Sequence, residues 1–185
     1  MGTGRSLTRS TGCGLAASAF VLAAPGCGGS AGTSTAEPAT AVETATVAYV
    51  NDGDTLRLRD GRRVRLLQID APEKDADCYG RAAAAALRRR APKGSRVRLQ
   101  RDPELDARDG YGRLLRYVFV GARNLNVELV RDGAASPYFF GKRRGRYAAA
   151  LLAAAREAQA ARRGLWAACP RAELDTGIGS VSGPA

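Results

Sequence analysis

The chain has 185 residues, 29 Lys plus Arg against 18 Asp plus Glu, a formal net charge of +11, four cysteines and no histidine, a length that suits one domain with appendages and a real buried core. Without histidine, a serine–histidine triad, a histidine zinc site and a paired-histidine ribonuclease mechanism are excluded, so acid–base chemistry falls to carboxylates, Tyr, Lys, Cys or metal-bound water. The charge points to a polyanionic partner, nucleic acid or an anionic membrane surface, although 26 of the basic residues are Arg in an Ala- and Gly-rich chain, a bias that a GC-rich coding sequence also produces.

Residues 1–26 read as a signal peptide of the lipoprotein type. Arg5 and Arg9 form a positive start, and the apolar stretch from 14 to 24 is too short for the roughly 20 residues of a bilayer span but suits a secretory core. Ala24-Pro25-Gly26-Cys27 then resembles a bacterial lipoprotein cleavage box, with Cys27 as the lipidated first residue. Ordinary cleavage and release is the alternative, and either route leaves the mature chain outside the cytoplasm. Residues 27–45 are small and polar and read as a disordered tether, and residues 171–185 as a second disordered tail. The folded unit is then 46–170. Cys13 leaves with the signal and Cys27 takes the lipid, so Cys78 and Cys169 remain, a pair for which an oxidising compartment favours a disulfide. A redox-active pair is the alternative, and no C-x-x-C spacing supports it.

Within the folded unit, TATVAYV (44–50), TLRLRD (55–60) and RVRLLQID (63–70) carry branched residues at strand-like spacing, with turn signals at Asn51-Asp52-Gly53-Asp54 and Asp60-Gly61. They predict a meander of three antiparallel strands. Residues 79–90 have the composition of a helix, 95–101 alternate as a strand, and a polar loop covers 102–112. A further strand over 113–120, a short helix over 124–131, a basic aromatic loop over 138–145 and a long helix over 146–163 complete the order, with Gly164 as the stop. Three strands, a helix, two strands and closing helices is the element order of an oligonucleotide-binding barrel, which offers a groove for polymers. Other small α+β folds share that order.

Along RLLQIDAPE (65–73) side-chain alternation puts Arg65, Leu67 and Ile69 on one face, and Asp70 and Glu73 follow the strand end around Pro72. Asp52 and Asp54 sit on a tight turn upstream. If the two segments are neighbours, Asp54 and Asp70 form a hard oxygen site suited to Ca2+. A satisfied turn Asp and a surface ion pair are the alternatives for either segment alone. Tyr111-Gly112-Arg113 opens a strand with an Arg at its first position.

These motifs, DGDT at 52–55, RLLQIDAPE at 65–73, YGRLL at 111–115, ELVRDG at 128–133 and GLW at 164–166, occur in the order of the thermonuclease, or staphylococcal-nuclease-like, family, which the chain resembles over residues 46–168. The resemblance implies an OB-fold, a five-stranded Greek-key barrel with about three α-helices, and Ca2+-dependent hydrolysis of DNA and RNA phosphodiesters; with no protein partner evident in the sequence, a monomer is expected. On this chain it implies Asp54, Asp70 and the backbone carbonyl of Ala71 as Ca2+ ligands, with Asp52 behind them. Glu73 would orient or deprotonate the attacking water, and Arg65 and Arg113 would hold the scissile phosphate. Ala71 stands where the family commonly has Thr, and Gly110 where a Lys often precedes the Tyr. Tyr111, with Tyr138 or Phe139, would contact the nucleotide; a core role is the alternative for each. Lys142, Arg143 and Arg144 would track the backbone electrostatically, or form a merely solvated loop. Two other readings remain: a non-catalytic nucleic-acid-binding OB-fold lipoprotein, which the joint presence of Arg65, Glu73 and Arg113 opposes, and a structural surface lipoprotein.

Overall fold

A computed structural model describes residues 42–169, 171–178 and 181–182. The segment read as a signal peptide, Cys27 and the segment read as a tether as far as residue 41 lie outside the described residues. In chain order, β1 (Val42–Val50), β2 (Thr55–Leu58) and β3 (Arg63–Leu66) form the antiparallel meander, and a corner leads to the short β4 (Ile69–Asp70). Helix α1 (Gly80–Arg90) precedes β5 (Arg96–Gln100) and β6 (Leu114–Val120), followed by β7 (Arg123–Asn124), α2 (Leu125–Arg131) and β8 (Ser136–Pro137). Then come α3 (Ala148–Ala160), α4 (Leu165–Ala168), β9 (Glu173–Leu174) and β10 (Val181–Ser182). The main sheet runs β3-β2-β1-β5-β6-β7, and β3 also pairs with β6 in parallel, which closes five strands into the expected barrel.

Strand alternation explains the closure. Val47, Leu56, Leu58, Val64, Leu66, Val97, Leu99, Leu114 and Val118 point inward, each at most 1% exposed. Burying one such side chain contributes about 1.5–3 kcal/mol. The helices cover the barrel with small residues: α1 buries Ala83, Ala84, Ala86 and Leu87, and α3 buries Leu151, Leu152, Ala154, Ala155 and Ala158. Asn124 caps α2 by accepting from the Asn126 and Val127 amides. Two glycines join the distant ELVRDG and GLW motifs. Gly133 (φ +69°) and Gly164 (φ +57°) lie back to back, and a Cβ on Gly133 would fall 2.2 Å from the Arg163 carbonyl oxygen, one on Gly164 2.3 Å from that of Gly133. Neither position has room for another residue.

Three boundaries differ from the sequence reading. The first strand starts at Val42 rather than 44, and the folded unit there rather than at 46, because residues 42–45 find hydrogen-bonding partners on β5 (Val42 opposite Gln100, Ala45 opposite Val97), so the tether reading fails for its last four residues. The RVRLLQID run is not one strand: Gln68 adopts φ +59° and breaks it into β3 and β4, which pairs with β8. The described part of 171–185 is not a disordered tail, since β9 and β10 pair and the carbonyls of Thr176 and Ile178 accept from Arg144 Nη2 and the Phe139 amide. Backbone pairing supplies there what a weakly apolar composition does not.

Candidate active site

The β3–β4 corner builds an acidic pocket around one guanidinium. Arg65 points out of the barrel from β3; its Nη1 lies 3.1 Å from Asp54 Oδ2 and its Nη2 2.7 Å from Asp70 Oδ1. The same Nη1 donates to the Ile69 carbonyl at 2.5 Å. Asp54 is buried after the β1–β2 turn, where Asp52 Oδ1 accepts its amide (3.0 Å), and it accepts from the Ala71 amide (2.8 Å) and the Thr55 hydroxyl (3.0 Å). Burial pushes the Asp54 carboxyl up to about 7, Arg65 pulls against this, and Asp52 adds to it. Burial also raises Asp70, again against Arg65. Asp70 Oδ2 has no hydrogen-bond partner among the described residues.

The second guanidinium arrives from far along the chain. Arg113 Nε donates to Asp109 Oδ2 at 2.6 Å, and its Nη1 reaches the Thr55 hydroxyl at 3.4 Å. Burial alone would raise Asp109, but the hydrogen bonds and charge of Arg113 hold it below the usual carboxylate range. Arg65 and Arg113 line one cleft of about 420 Å³, together with Leu67, Leu105, Tyr111, Tyr138, Phe140 and Arg143. Tyr111 is 77% exposed and Phe140 73%, two aromatic faces on the rim of a cationic groove.

Some expected residues sit elsewhere. Phe139 is buried in the core at 1% exposure and cannot stack on a base; Tyr138 and Phe140 flank it in sequence and line the cleft instead. The dipeptides Tyr138-Phe139 and Phe139-Phe140 read alike by composition, and only the β8 pairing fixes which ring turns inward. The basic run divides as well. Arg143 lines the cleft and donates to Asp106 and the Glu104 carbonyl. Arg144 instead lies over the Phe139 ring (5.4 Å) and binds the Thr176 carbonyl, so it is held to the C-terminal segment rather than free to track a strand. Lys142 is exposed and does not line the cleft. Glu73, Asp54 and Asp70 do not line it either; Glu73 is exposed, and its backbone amide donates to Asp77 Oδ2 (2.8 Å). Asp109 and Gln68 are site residues that the motif reading passed over. Cys78 and Cys169 form the disulfide, with Cα atoms 5.9 Å apart.

Among the described residues no three acidic or sulfur side chains converge as a ready metal cage. The two carboxylates that do meet at Arg65 form a hard, all-oxygen donor pair with one free oxygen on Asp70, which fits Ca2+ in chemistry and leaves most of its shell to other donors.

A closed barrel with two guanidiniums and a carboxylate pair at its mouth defines an oligonucleotide-type barrel equipped to act on a phosphodiester. Residues 63–168 match the family described as staphylococcal nuclease homologue, and the chain belongs to that family. A thermonuclease of Staphylococcus intermedius is 35% identical over 128 residues, 65% of this chain and 74% of that protein. The thermonuclease of Staphylococcus hyicus is 30% identical over 132 residues, 67% and 76% respectively. An uncharacterized endonuclease of Escherichia coli O157:H7 is 40% identical over 96 residues, half of this chain and 59% of that one.

Proposed function

We propose that this nuclease-family chain is a Ca2+-dependent, extracytoplasmic nuclease that hydrolyses DNA and RNA with little sequence specificity. The observation that carries the reading is the meeting of Arg65 and Arg113, 48 positions apart, on one cleft beside the Asp54–Asp70 pair. Asp54, Asp70 and the Ala71 carbonyl would hold Ca2+, which supplies positive charge beside the scissile phosphate. Charge grows on the phosphoryl oxygens as the ester breaks, and two fixed guanidinium forks stabilise that state more than the ground state. Arg suits the role because it is planar, bidentate and always charged. Glu73 takes the proton of the attacking water; the water oxygen bonds to phosphorus, and the P–O electron pair leaves with the departing oxygen. The exposed Tyr111 and Phe140 offer faces that any base can stack on, which suits a sequence-tolerant enzyme. The signal-like start supports export, with Cys27 as the lipid anchor of a monomer in the cell membrane.

The test is incubation of the protein with plasmid DNA and with RNA, in Ca2+ or in chelator. Cleavage appears only with Ca2+; no cleavage under either condition would sink the reading. Glu73→Gln lowers turnover about 10²–10⁴-fold as a lost general base, and Arg113→Ala about 10³–10⁵-fold, both with unchanged circular dichroism. Near-normal turnover of either variant removes that residue from its role.

A further inference from the structure

The cleft has a continuation on the outer wall of the barrel. Arg63 precedes Arg65 by two residues on β3, so both side chains leave the same face. Its strand partner on β2 is Arg57, and the strand partner of Arg57 on β1 is Tyr49. Arg63, Arg57 and Tyr49 therefore form a row across three strands, pointing away from the core while Leu56, Leu58 and Val64 point into it. The row is tied to the cleft: Arg63 Nη2 donates to the carbonyl of Tyr111, the exposed rim residue, at 2.9 Å. At its far end Arg57 lies 6.0 Å from the ring centre of Tyr49, which is 49% exposed.

No ion pair accounts for this arrangement. Like charges directly opposite on neighbouring strands destabilise a sheet, and among the described residues neither Arg57 nor Arg63 has a carboxylate partner. The nearby acids, Glu43 and Asp60, are both taken by Arg62. Among the described residues, Arg57 Nη1 has only the Gly61 carbonyl as a hydrogen-bond partner, at 3.2 Å. Two adjacent cations with spare donors, ending in an exposed aromatic face, match a polyanion that carries planar bases.

We propose that Arg63, Arg57 and Tyr49 form a track that carries a single nucleic-acid strand out of the cleft, the arginines binding successive phosphates and Tyr49 stacking on a base. This rests on the nuclease reading of the cleft. Two residues along β3 and two strand spacings across the sheet lie at right angles and together span about 12 Å, room for three or four stacked nucleotides at about 3.4 Å each. The track is thus filled by a long strand and left empty by a very short one.

Anisotropy titration of fluorescein-labelled single-stranded DNA of 12 and of 3 nucleotides, in Ca2+, tests it on protein carrying Glu73→Gln. Adding Arg57→Gln with Arg63→Gln weakens binding of the 12-mer at least tenfold and that of the 3-mer less than twofold. Tyr49→Ala alone weakens the 12-mer about fivefold or more. Arg88→Gln with Arg89→Gln, exposed on α1 and equal in lost charge, changes neither by more than twofold. The track is overturned if the row variants bind the 12-mer as tightly as their parent, or lose no more than the α1 pair does. If the parent binds neither oligonucleotide, the cleft itself holds no nucleic acid and the nuclease reading falls with the track.

Discussion

Arg113 has its geometry set by Asp109, four residues upstream, which takes Nε at 2.6 Å and the Arg113 backbone amide at 2.9 Å. A free arginine samples many rotamers; this one keeps its remaining nitrogens directed over Thr55 and the cleft. Asn126 does comparable work inside the fold. It is fully buried on α2, accepts the Val118 amide at 2.9 Å and donates to the Leu67 carbonyl at 2.8 Å, so it joins helix, barrel and corner. Asn126→Ala leaves those two backbone groups unpaired in the core, a loss of about 1–3 kcal/mol for each. Urea unfolding is expected to show a fall of about 2–6 kcal/mol, and a variant as stable as wild type removes Asn126 from this role. The two residues differed in how readable they were. Asp54, Asp70, Arg65 and Arg113 stood in ordered motifs, whereas Asp109, a carboxylate four positions before Arg113, lies in the polar loop outside them and was passed over. An Asn on a short amphipathic helix reads as surface, because spacing alone does not reveal a backbone amide waiting opposite it.

Glu73 lies on the loop between β4 and α1, and that loop is closed at both ends. Its carbonyl accepts from the Asp77 amide at 3.0 Å, and a Cβ on Gly80 would meet the Glu73 carbonyl oxygen at 2.0 Å, so the loop folds tightly onto the start of α1. Cys78 then ties the same loop to Cys169, just past α4. The bond closes 91 positions, for which the chain-entropy model gives about 4–5 kcal/mol. Cys78→Ser with Cys169→Ser should therefore lower unfolding stability by several kcal/mol and speed amide exchange at Asp77 more than at Val118 in the barrel. Equal protection of Asp77 in both proteins would mean that the disulfide does not hold this loop. Across the cleft, Gln68 plays the matching part: its Oε1 accepts the Gly145 amide at 3.0 Å and its Nε2 donates to the Arg143 carbonyl at 2.9 Å. Strands and helices were legible because alternation and Ala-rich spacing survive in any context. The corner was not, since RVRLLQID carries branched and apolar residues at the spacing of one continuous strand, and a left-handed Gln68 leaves no mark in composition. Nor was the β9–β10 pairing, which depends on backbone partners rather than side chains.

Charge is unevenly spread along the whole chain. Eleven of the 18 acids lie between Asp52 and Asp109, while residues 113–163 hold 11 basic residues against three acids. The barrel interleaves these halves: the acidic corner comes from the first, and Arg113 and Arg143 are brought to it from the second. A negative pocket that attracts a cation therefore sits beside guanidiniums that attract phosphate, and each charge offsets the repulsion the other would meet. Five arginines, Arg57, Arg63, Arg65, Arg113 and Arg143, are aligned with the cleft and its outer row. If each neutralises one phosphate of a single strand, the slope of log affinity against log salt is about −3.5. Raising salt from 50 to 200 mM then weakens binding of a 12-nucleotide strand by Glu73→Gln protein about a hundredfold. Binding of the 3-mer, which reaches fewer phosphates, falls much less. The same titration on Arg57→Gln/Arg63→Gln should bring the slope to about −2, because two counterion-releasing contacts have gone. An unchanged slope in that variant would mean that the basic excess acts as a diffuse field around the molecule, and that the positions of these side chains carry no part of the binding.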